Sequence, residues 1–444
     1  MDSPEIEKLE NEIARLKDLI QTKVTKFDRD FVQTMPPAVV EEERESLEEL
    51  RKQYSSAKTA LGELRQQPPT GMTQAHFLEW RSPRRGTDNP HAMTNDVWKW
   101  LIETPLPEDY THARLNAYQA NKAFDGPSSM DAGPCWCFDR FGQSETTLPD
   151  GRIIYIGGEH EDFYDPDFYI YNDVVMVDTS GGVQIFGYPI EVFPPTDFHS
   201  ATLVDNAIIL IGSLGYSGKR HYGQTQVLRL ELDTWRISPM ETFGENPGWI
   251  HSHLAELLPG GNEIRITGGK IDRGNETPLI ENIDEWSLDL QTWYWKRLTN
   301  HQWARFVFRR KDERWNHLSD IQSLLLYKQI AEHGEQYENI YKNAEKELKE
   351  KLGTLPDVKL FETLYTPDVA TEIIAKNPDD EEYNVHRIRV GDVVVRYVED
   401  SREIQMTVEG ELPSGIVEQL RDDVMQKFAA LEGVPIVCQT ILAE

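Results

Sequence analysis

The chain has 444 residues, and a prior of about 100–200 residues per domain predicts two to four units. Its 46 Lys and Arg against 76 Asp and Glu give a net charge of −30, which disfavours binding to nucleic acid or to a membrane surface. Only Cys135, Cys137 and Cys438 are cysteines, and the first twenty residues are charged without an apolar core. These features predict a soluble, reduced, cytoplasmic protein.

Two apolar stripes with heptad spacing mark the N-terminal region. One runs from Ile6 to Ile20 and the other from Leu47 to Leu64, with alternating steps of three and four residues. Thr34-Met-Pro-Pro lies between them and should interrupt any continuous helix. The spacing predicts a helical coiled coil whose two helices either fold back as an antiparallel hairpin or pair between chains. Residues 6–64 are thus a candidate homo-oligomer contact.

Three central segments share one plan: a β-rich strand that ends in a glycine pair or its variant, a polar loop and another strand. The first strands end at Gly157-Gly158, Gly212-Ser213 and Gly268-Gly269, so the leading glycines are 55 and 56 residues apart. Thr234-Trp235 and Thr292-Trp293 follow in the second and third segments. β-Branched residues suit a sheet, glycine permits a tight turn, and the aromatic residue can pack between neighbouring sheets.

Over residues 140–296 this pattern resembles the kelch repeats of β-propeller proteins and is similar to the propeller of galactose oxidase-like proteins. The resemblance implies stacked sheets whose loops form a binding mouth. No set of tyrosine, cysteine and histidine residues matches the copper site of that oxidase, so its activity is not carried over. A closed propeller has about 4–8 blades. The ring is therefore incomplete, or completed by divergent blades in residues 73–135 and 296–315, or completed by a second chain.

The expected fold is multidomain with a mainly β centre. A kelch-like β-propeller is flanked by an N-terminal α-helical coiled coil and by a C-terminal helix with a small α+β domain. The predicted parts are a coiled-coil segment over 1–66, a linker over 67–72, the propeller with N-terminal helical elements over 73–319, a helix over 320–356 and the α+β domain over 357–444.

Several histidines and carboxylates are candidates for chemistry. His199 and His253 occupy corresponding places at the start of a first strand, and this repetition favours a structural role. His251 lies two residues before His253, on the same side of a strand. His199, His251, His253, Asp139 and Asp197 are the catalytic candidates, which, with Arg140, could converge on the mouth of the propeller.

An acidic, aromatic loop follows the first glycine pair. Its oxygen ligands suit a divalent cation in principle, but it lacks EF-hand spacing, and Cys135-Trp136-Cys137 lacks the second ligand pair of a zinc site. No metal or cofactor is predicted. The loop is expected to bind a partner or to be solvated, and its candidate contact residues are His160, Asp162, Phe163, Tyr164, Asp165, Asp167, Phe168 and Tyr169.

The leading functional hypothesis is an acidic cytoplasmic scaffold that recognises an unidentified protein partner on the kelch-like platform and assembles through its helices. One alternative is a metal-assisted hydrolase or lyase built on His160, His199, His251 and His253. The other is a self-assembling structural subunit in which oligomer formation completes the sheets. The chain lacks Walker, dinucleotide-binding, G-x-S-x-G and H-E-x-x-H motifs.

Overall fold

The structure is a computed structural model that describes residues 4–26, 37–65, 68–104, 117–127, 133–160, 166–274, 279–331, 335–375 and 384–441. The chain forms two compact units, Met1–Asn300 and His301–Glu444. The described residues combine α-helices with antiparallel sheets. None of the helices in these ranges is long and apolar enough to cross a membrane.

The first unit begins with two long helices, α1 (Pro4–Lys26) and α2 (Pro37–Arg65), which pack against each other. Leu16 from the first stripe is fully buried, and Leu61 from the second is nearly so. These contacts lie within one chain, as the hairpin alternative requires. Pairing between chains through residues 6–64 stays a prediction.

A layer of short helices covers the next part of the chain. It consists of α3 (Gln74–Trp80), α4 (Asp96–Glu103) and α5 (Ala117–Ala123). Asn95 caps α4, because its side chain accepts hydrogen bonds from the amides of Val97 and Trp98 at 3.1 Å. The rings of Trp98 and Trp136 stack with centroids 5.0 Å apart. The layer thus closes one side of the β-region with buried aromatic rings.

Three four-stranded antiparallel meanders follow, and we call them the first, second and third stacked sheets. The first has β2 (Ser144–Thr147), β3 (Ile153–Ile156), β6 (Asp173–Val177) and β7 (Val183–Gly187), with β1 (His91–Ala92) added beside β7. The second has β8 (Ser200–Val204), β9 (Ala207–Ile211), β10 (Val227–Glu231) and β11 (Ile237–Pro239). The third has β13 (Leu254–Leu257), β14 (Glu263–Thr267), β17 (Trp286–Asp289) and β18 (Tyr294–Arg297).

Shorter elements lie where the sequence predicts loops after each glycine pair. β4 (Glu159–His160) pairs with β5 (Tyr169–Ile170), and a 3₁₀ turn covers Ser217–Lys219. A three-stranded sheet joins β12 (Trp249–His251), β15 (Lys270–Asp272) and β16 (Ile280–Glu281). All of these elements lie at the end of the stacked sheets marked by Gly157, Gly212 and Gly268, which we call the glycine end.

Apolar faces hold the stacked sheets together. Ile154 and Ile156 of the first sheet meet Ile208 and Leu210 of the second in one buried cluster. The opposite face of the second sheet packs against the third in another cluster, which includes Ile209, Ile211, Ile264 and Ile266. Burying such side chains contributes about 1.5–3 kcal/mol each. Alternate residues of the second sheet thus face the first and the third sheet in turn.

The aromatic residue of the repeat also lies where the sequence predicts. The indole of Trp235 stacks on Phe186 of the first sheet with ring centroids 4.8 Å apart. The hydroxyl of Tyr188 donates to the Trp235 carbonyl at 2.8 Å. Trp235 and Trp293 both have positive φ, near 57° and 56°. A β-turn after the third strand therefore directs each tryptophan back toward the stack.

The third stacked sheet differs from the second on its outer face. Counting back from the leading glycine, Ile209 and Ile211 of the second sheet are buried, whereas Arg265 and Thr267 hold the same positions in the third. The Arg265 side chain is 38% exposed and forms ion pairs with Glu256 at 2.7 Å and Glu285 at 3.6 Å. A charged face does not suit an apolar interface with a further sheet. The described strands of the first unit add no fourth four-stranded sheet to the stack.

In the two ranges that could hold divergent blades, the described residues form other elements. Residues 73–104, 117–127 and 133–135 contribute the helical layer and β1, and the third stacked sheet ends with Arg297. The sheet formed by residues 305–310 belongs to the second unit. Within the described ranges the stack has three four-stranded sheets, with a helical layer on one side and a charged face on the other.

The second unit is a six-stranded antiparallel sheet with strand order β20-β21-β22-β23-β19-β24. The strands are β19 (Arg305–Arg310), β20 (Glu372–Ile374), β21 (Val385–Val390), β22 (Val393–Glu399), β23 (Glu403–Glu409) and β24 (Ile436–Thr440). Its helices are α6 (Leu318–Ile330), α7 (Glu335–Leu352), α8 (Val358–Glu362) and α9 (Ser414–Glu432). The helices and strands share one hydrophobic core.

A buried ionic cluster ties three elements of this unit together. The carboxylate of Glu432, at the end of α9, accepts from Arg310 Nη1 at 2.6 Å and from the His317 amide at 2.8 Å. Arg310 also pairs with Asp312. The cluster leaves the buried Glu432 charge fully hydrogen-bonded, as burial of a carboxylate requires.

The boundary between the two units lies between Asn300 and His301. The sequence instead predicts that the propeller extends to residue 319. The reason is that β19 pairs with β23, about 100 residues later in the chain, and with β24, about 130 residues later. The segment 320–356 does not form one separate helix, because α6 and α7 both pack in the core of the second unit. Local periodicity does not reveal such distant strand pairing.

The contrast between the two outer positions gives a stability test. Ile209→Ala should lower the free energy of unfolding by about 2–5 kcal/mol, because it opens a cavity between sheets. Arg265→Ala, at the matching position of the third sheet, should lower the free energy of unfolding much less than Ile209→Ala, because its ion pairs are exposed. Urea unfolding of the full chain followed by tryptophan fluorescence measures both. Equal losses would contradict a terminal role for the third sheet.

Candidate functional site at the glycine end

His199 and His253 join neighbouring sheets. His199 Nε2 lies 2.8 Å from Ser144 Oγ of the first sheet, and His253 Nε2 lies 2.9 Å from Ser200 Oγ of the second. Both histidines are buried. Each therefore begins one sheet and hydrogen-bonds to the first strand of the preceding sheet. The corresponding positions of the two residues in the sequence reflect the same intersheet contact.

Burial keeps both rings neutral. It lowers the pKa of His199 to about 3, with a further contribution from His253, and lowers the pKa of His253 to about 4. Neither Nδ1 atom has a hydrogen-bond partner among the residues described. A second proton on either ring would be buried without an acceptor. These histidines fit a structural role rather than proton transfer at neutral pH.

The leading glycines of the first two sheets lie directly against the next sheet. A Cβ atom on Gly157 would lie 2.2 Å from the Thr196 carbonyl oxygen, and one on Gly212 would lie 2.3 Å from the Ile250 carbonyl oxygen. Both glycines also have positive φ. By contrast, nothing in the described part of the structure lies within 4 Å of a Cβ on Gly268. The repeat conserves its glycine in the third sheet without this close approach.

Asp197 lies in the segment that enters the second sheet. Its Oδ1 accepts from the Gly215 amide at 2.6 Å and from Ser213 Oγ at 3.1 Å. Burial raises the pKa of this carboxyl, and its hydrogen bonds with Gly215, Glu159 and Ser213 oppose the effect. Asp197 therefore holds the loop after the second glycine position in place.

The same loop is linked to the third sheet by Arg220. Its guanidinium donates to the Gly215 carbonyl at 3.1 and 3.2 Å and to Asp272 Oδ2 at 2.5 Å. Asp272 Oδ1 in turn accepts from the Gly274 amide at 2.8 Å. Two loops of different sheets are thus joined by a nearly buried ion pair. Arg220 and Asp272 are 52 residues apart and belong to no motif, so the sequence alone does not indicate that they pair.

His251 lies in β12, beside this linked pair of loops. Its Nδ1 lies 3.0 Å from Ser252 Oγ, and its ring contacts Phe198 with centroids 6.4 Å apart. Burial, followed by the positive charges of Lys270 and Arg220, lowers its pKa to about 3. His251 and Asp197 both contribute to the glycine end, but His199 and His253 are committed to sheet contacts.

Asp139 and Arg140 come just before β2, the first strand of the first stacked sheet. Asp139 is exposed, whereas Arg140 is buried and pairs with both carboxylate oxygens of Asp173, at 2.5 and 3.0 Å. The guanidinium also lies 3.5 Å from the centre of the Tyr171 ring. Asp173 accepts a further bond from Trp136 Nε1 at 2.9 Å. Arg140 is therefore held within the body of the protein.

The described part of the acidic, aromatic loop packs inward. Asp167 is buried, and the Phe168 ring meets Tyr216 with centroids 5.7 Å apart. Tyr169 meets Tyr171 at 5.0 Å. Asp162, Phe163, Tyr164 and Asp165 lie outside the described residues.

His160, which is half-buried, contacts the buried thiol of Cys137. His160 Nδ1 lies 3.1 Å from Cys137 Sγ, and burial lowers the pKa of His160, an effect that Asp167 opposes. Burial raises the pKa of Cys137 to about 11 and that of Cys135 to about 12. Thiols with raised pKa are poor nucleophiles at neutral pH.

In the described part of the chain, no group of three or more His, Cys, Asp or Glu side chains could hold a metal ion. Each histidine named for a metal-assisted reaction has a contact of its own. His199, His253 and His251 each lie beside a serine hydroxyl, and His160 lies beside the Cys137 thiol.

Comparison with known proteins gives two findings. A family model described as the valyl tRNA synthetase tRNA binding arm matches residues 3–65. A solved structure titled "Structure of YjhT" is 11% identical, with a TM-score of 0.28, and the match covers 61% of this chain and 84% of that one. No curated protein matches the chain in sequence.

Acid should destabilise the stacked sheets through the buried histidines. Their folded pKa values lie below the ordinary 6.5, so below about pH 6.5 the unfolded chain binds protons that the folded chain excludes. The free energy of unfolding should fall from pH 7 to pH 4. His199→Gln, which retains a group for Ser144 but does not titrate, should show a shallower fall.

Urea titrations of both proteins at several pH values test this point. The raised pKa of Asp197 contributes with the opposite sign, and it cancels in the difference between wild type and variant. Identical pH slopes for the two proteins would refute the assignment of a neutral, buried His199.

The two intersheet serines give a separate test. Ser144→Ala and Ser200→Ala each leave a buried histidine nitrogen unpaired and should cost about 1–3 kcal/mol of unfolding free energy. Ser217→Ala, at an exposed site, should change stability by less than about 0.5 kcal/mol. Thermal and urea unfolding measure these differences. A loss for only one intersheet serine would mean that the repeated contact is not equivalent in the two interfaces.

Proposed function

We propose that this chain is a cytoplasmic recognition protein whose three stacked sheets are kelch-type repeats and whose glycine end binds a protein partner. One observation carries the proposal. At that end, the loop over residues 214–224 and the loop over 270–274 form one surface, held by the Arg220–Asp272 pair, with exposed His221 and Tyr222 side chains. Rigid loops that present exposed polar and aromatic groups suit protein recognition.

The two outer faces of the stack support this role, because neither presents an apolar surface for a further sheet. The helical layer covers the first sheet, and ion pairs of Arg265 with Glu256 and Glu285 occupy the outer face of the third. A second chain that completed a ring of three plus three sheets would bury these charges. The self-assembling alternative is therefore less well supported than a single-chain platform.

The N-terminal helices are proposed to serve protein contacts rather than RNA binding. Residues 3–65 match the model of a tRNA-binding arm, but they contain 14 Asp and Glu against 11 Lys and Arg. Tight binding to phosphate backbones depends on an excess of cations. The match thus supports a helical arm, and the charge supports a protein partner or a second copy as its target.

The enzyme alternative depends on histidines that have other contacts. His199 and His253 bind serines between sheets, and burial holds both neutral, with pKa values of about 3 and 4. A general base works best with a pKa near the operating pH. These contacts favour recognition over a hydrolase or lyase reaction.

The proposal is tested by isolating a partner and titrating it in purified form. Proteins that bind the immobilised full chain are identified by mass spectrometry, expressed, and titrated by calorimetry. Tyr222→Ala should weaken binding at least tenfold, because it removes an exposed ring from the glycine end. Pro259→Ala, an exposed residue in a turn at the opposite end of the third sheet, is the matched control.

Two results would reject the proposal. One is a purified partner whose affinity changes with Pro259→Ala but not with Tyr222→Ala. The other is a stoichiometric metal in the purified full chain, found by elemental analysis, together with hydrolytic or lyase turnover.

A further inference from the structure

The surface at the glycine end carries a charge opposite to that of the whole chain. Residues 214–224 contain Lys219 and Arg220 and no carboxylate, and residues 270–274 contain Lys270 and Arg273 with one carboxylate, Asp272. The chain as a whole has a net charge of −30. We call these two loops the basic loop surface.

Direct contacts make the two loops one surface. Arg220 bonds to Asp272 at 2.5 Å, and the Tyr222 ring covers Gly274 so closely that a Cβ there would lie 2.6 Å from it. The His221 ring lies 6.2 Å from that of Trp249, in the strand that pairs with β15. Since β15 contains Lys270, these contacts hold the backbones of the two segments that carry Lys219 and Lys270 close to one another.

The side chains at the outside of this surface differ from those that hold it together. Lys219, His221 and Tyr222 are exposed and Lys270 is half-buried, whereas Asp272 is buried against Arg220. The one carboxylate within the two segments is therefore already paired with Arg220, and Glu281 of β16 lies across the strands from Lys270.

The cations of this surface also affect His251, a buried histidine beside it. Lys270 and Arg220 both contribute to the lowered pKa of His251, in addition to burial, and they outrank the opposing effect of Asp272. Two cations thus act on the same buried ring at this end of a strongly acidic chain. Such a patch attracts a short anionic segment, while the net charge repels a long polyanion.

We propose that the basic loop surface binds an acidic peptide segment of the protein partner. This inference rests on the proposed recognition function and gives the partner its chemistry. Carboxylates of the peptide pair with Lys219 and Lys270, and its backbone and aliphatic groups pack on Tyr222. A nucleic acid is the competing anion, and it is disfavoured because its extended phosphates would meet the acidic remainder of the protein.

The test uses the full chain and a fluorescein-labelled peptide of eight glutamates. Fluorescence anisotropy at low salt should show saturable binding that weakens as salt is raised. A single-stranded oligonucleotide of about forty nucleotides is the comparison probe, and it should bind at least tenfold more weakly, because its extended phosphates meet the acidic remainder of the protein.

Charge reversal then locates the site. Lys219→Glu should weaken glutamate-peptide binding at least tenfold. Lys296→Glu makes the same charge change at an exposed position of β18, outside the basic loop surface, and should change affinity less than twofold. Circular dichroism spectra and melting temperatures establish that both variants are folded.

The outcomes separate this inference from the proposed function. Equal effects of the two reversals, or tighter binding of the oligonucleotide, would overturn the acidic-peptide assignment. If a purified partner loses affinity with Tyr222→Ala but not with Lys219→Glu, recognition at the glycine end stands and its charge assignment fails. If the glutamate peptide binds as expected but no purified partner depends on Tyr222, the recognition function fails while the anion-binding site remains.

Discussion

The close approach of one sheet's backbone to the next is the constraint on which the central region depends. At Gly157 and Gly212 the neighbouring carbonyl lies where any side chain would be, and buried isoleucines fill the remaining space between the sheets. His199 and His253 can reach the serines of the preceding sheet only because this distance is short. Packing density thus determines the glycine, the histidine and the serine together, so the three residue types recur as a set.

The third stacked sheet shows what happens when that constraint is removed. A Cβ atom on Gly268 would have no neighbour within 4 Å in the described structure, and Leu254, which corresponds to Ser200, is 76% exposed. Arg265 replaces a buried isoleucine. The strand and turn pattern persists, because it is needed to form the sheet itself, while the residues needed for stacking are lost. The same contrast explains why a pattern of glycines and strands does not predict the number of sheets.

Much of the local structure could be predicted from the sequence. The strands before Gly157, Gly212 and Gly268, and the helix after Asn95, follow from periodicity and capping. The pairing of β19 with strands about 100 and about 130 residues later could not, because no local signal encodes it. At the glycine end, Asp197 and His251 were identified as candidates, but the Arg220–Asp272 pair was not. Its two members are joined by tertiary folding alone.

Where the buried charges lie also bears on what the glycine end can do. Arg140 with Asp173 and Arg220 with Asp272 use their hydrogen-bonding capacity to hold loops to the body of the unit. A group committed in this way has little freedom to bind a ligand, but it lowers the entropy that the loop would lose on binding a partner. Exposed neighbours such as Lys219 and Tyr222 gain from this rigidity. Recognition at this end therefore depends on interior ion pairs that need not touch the partner.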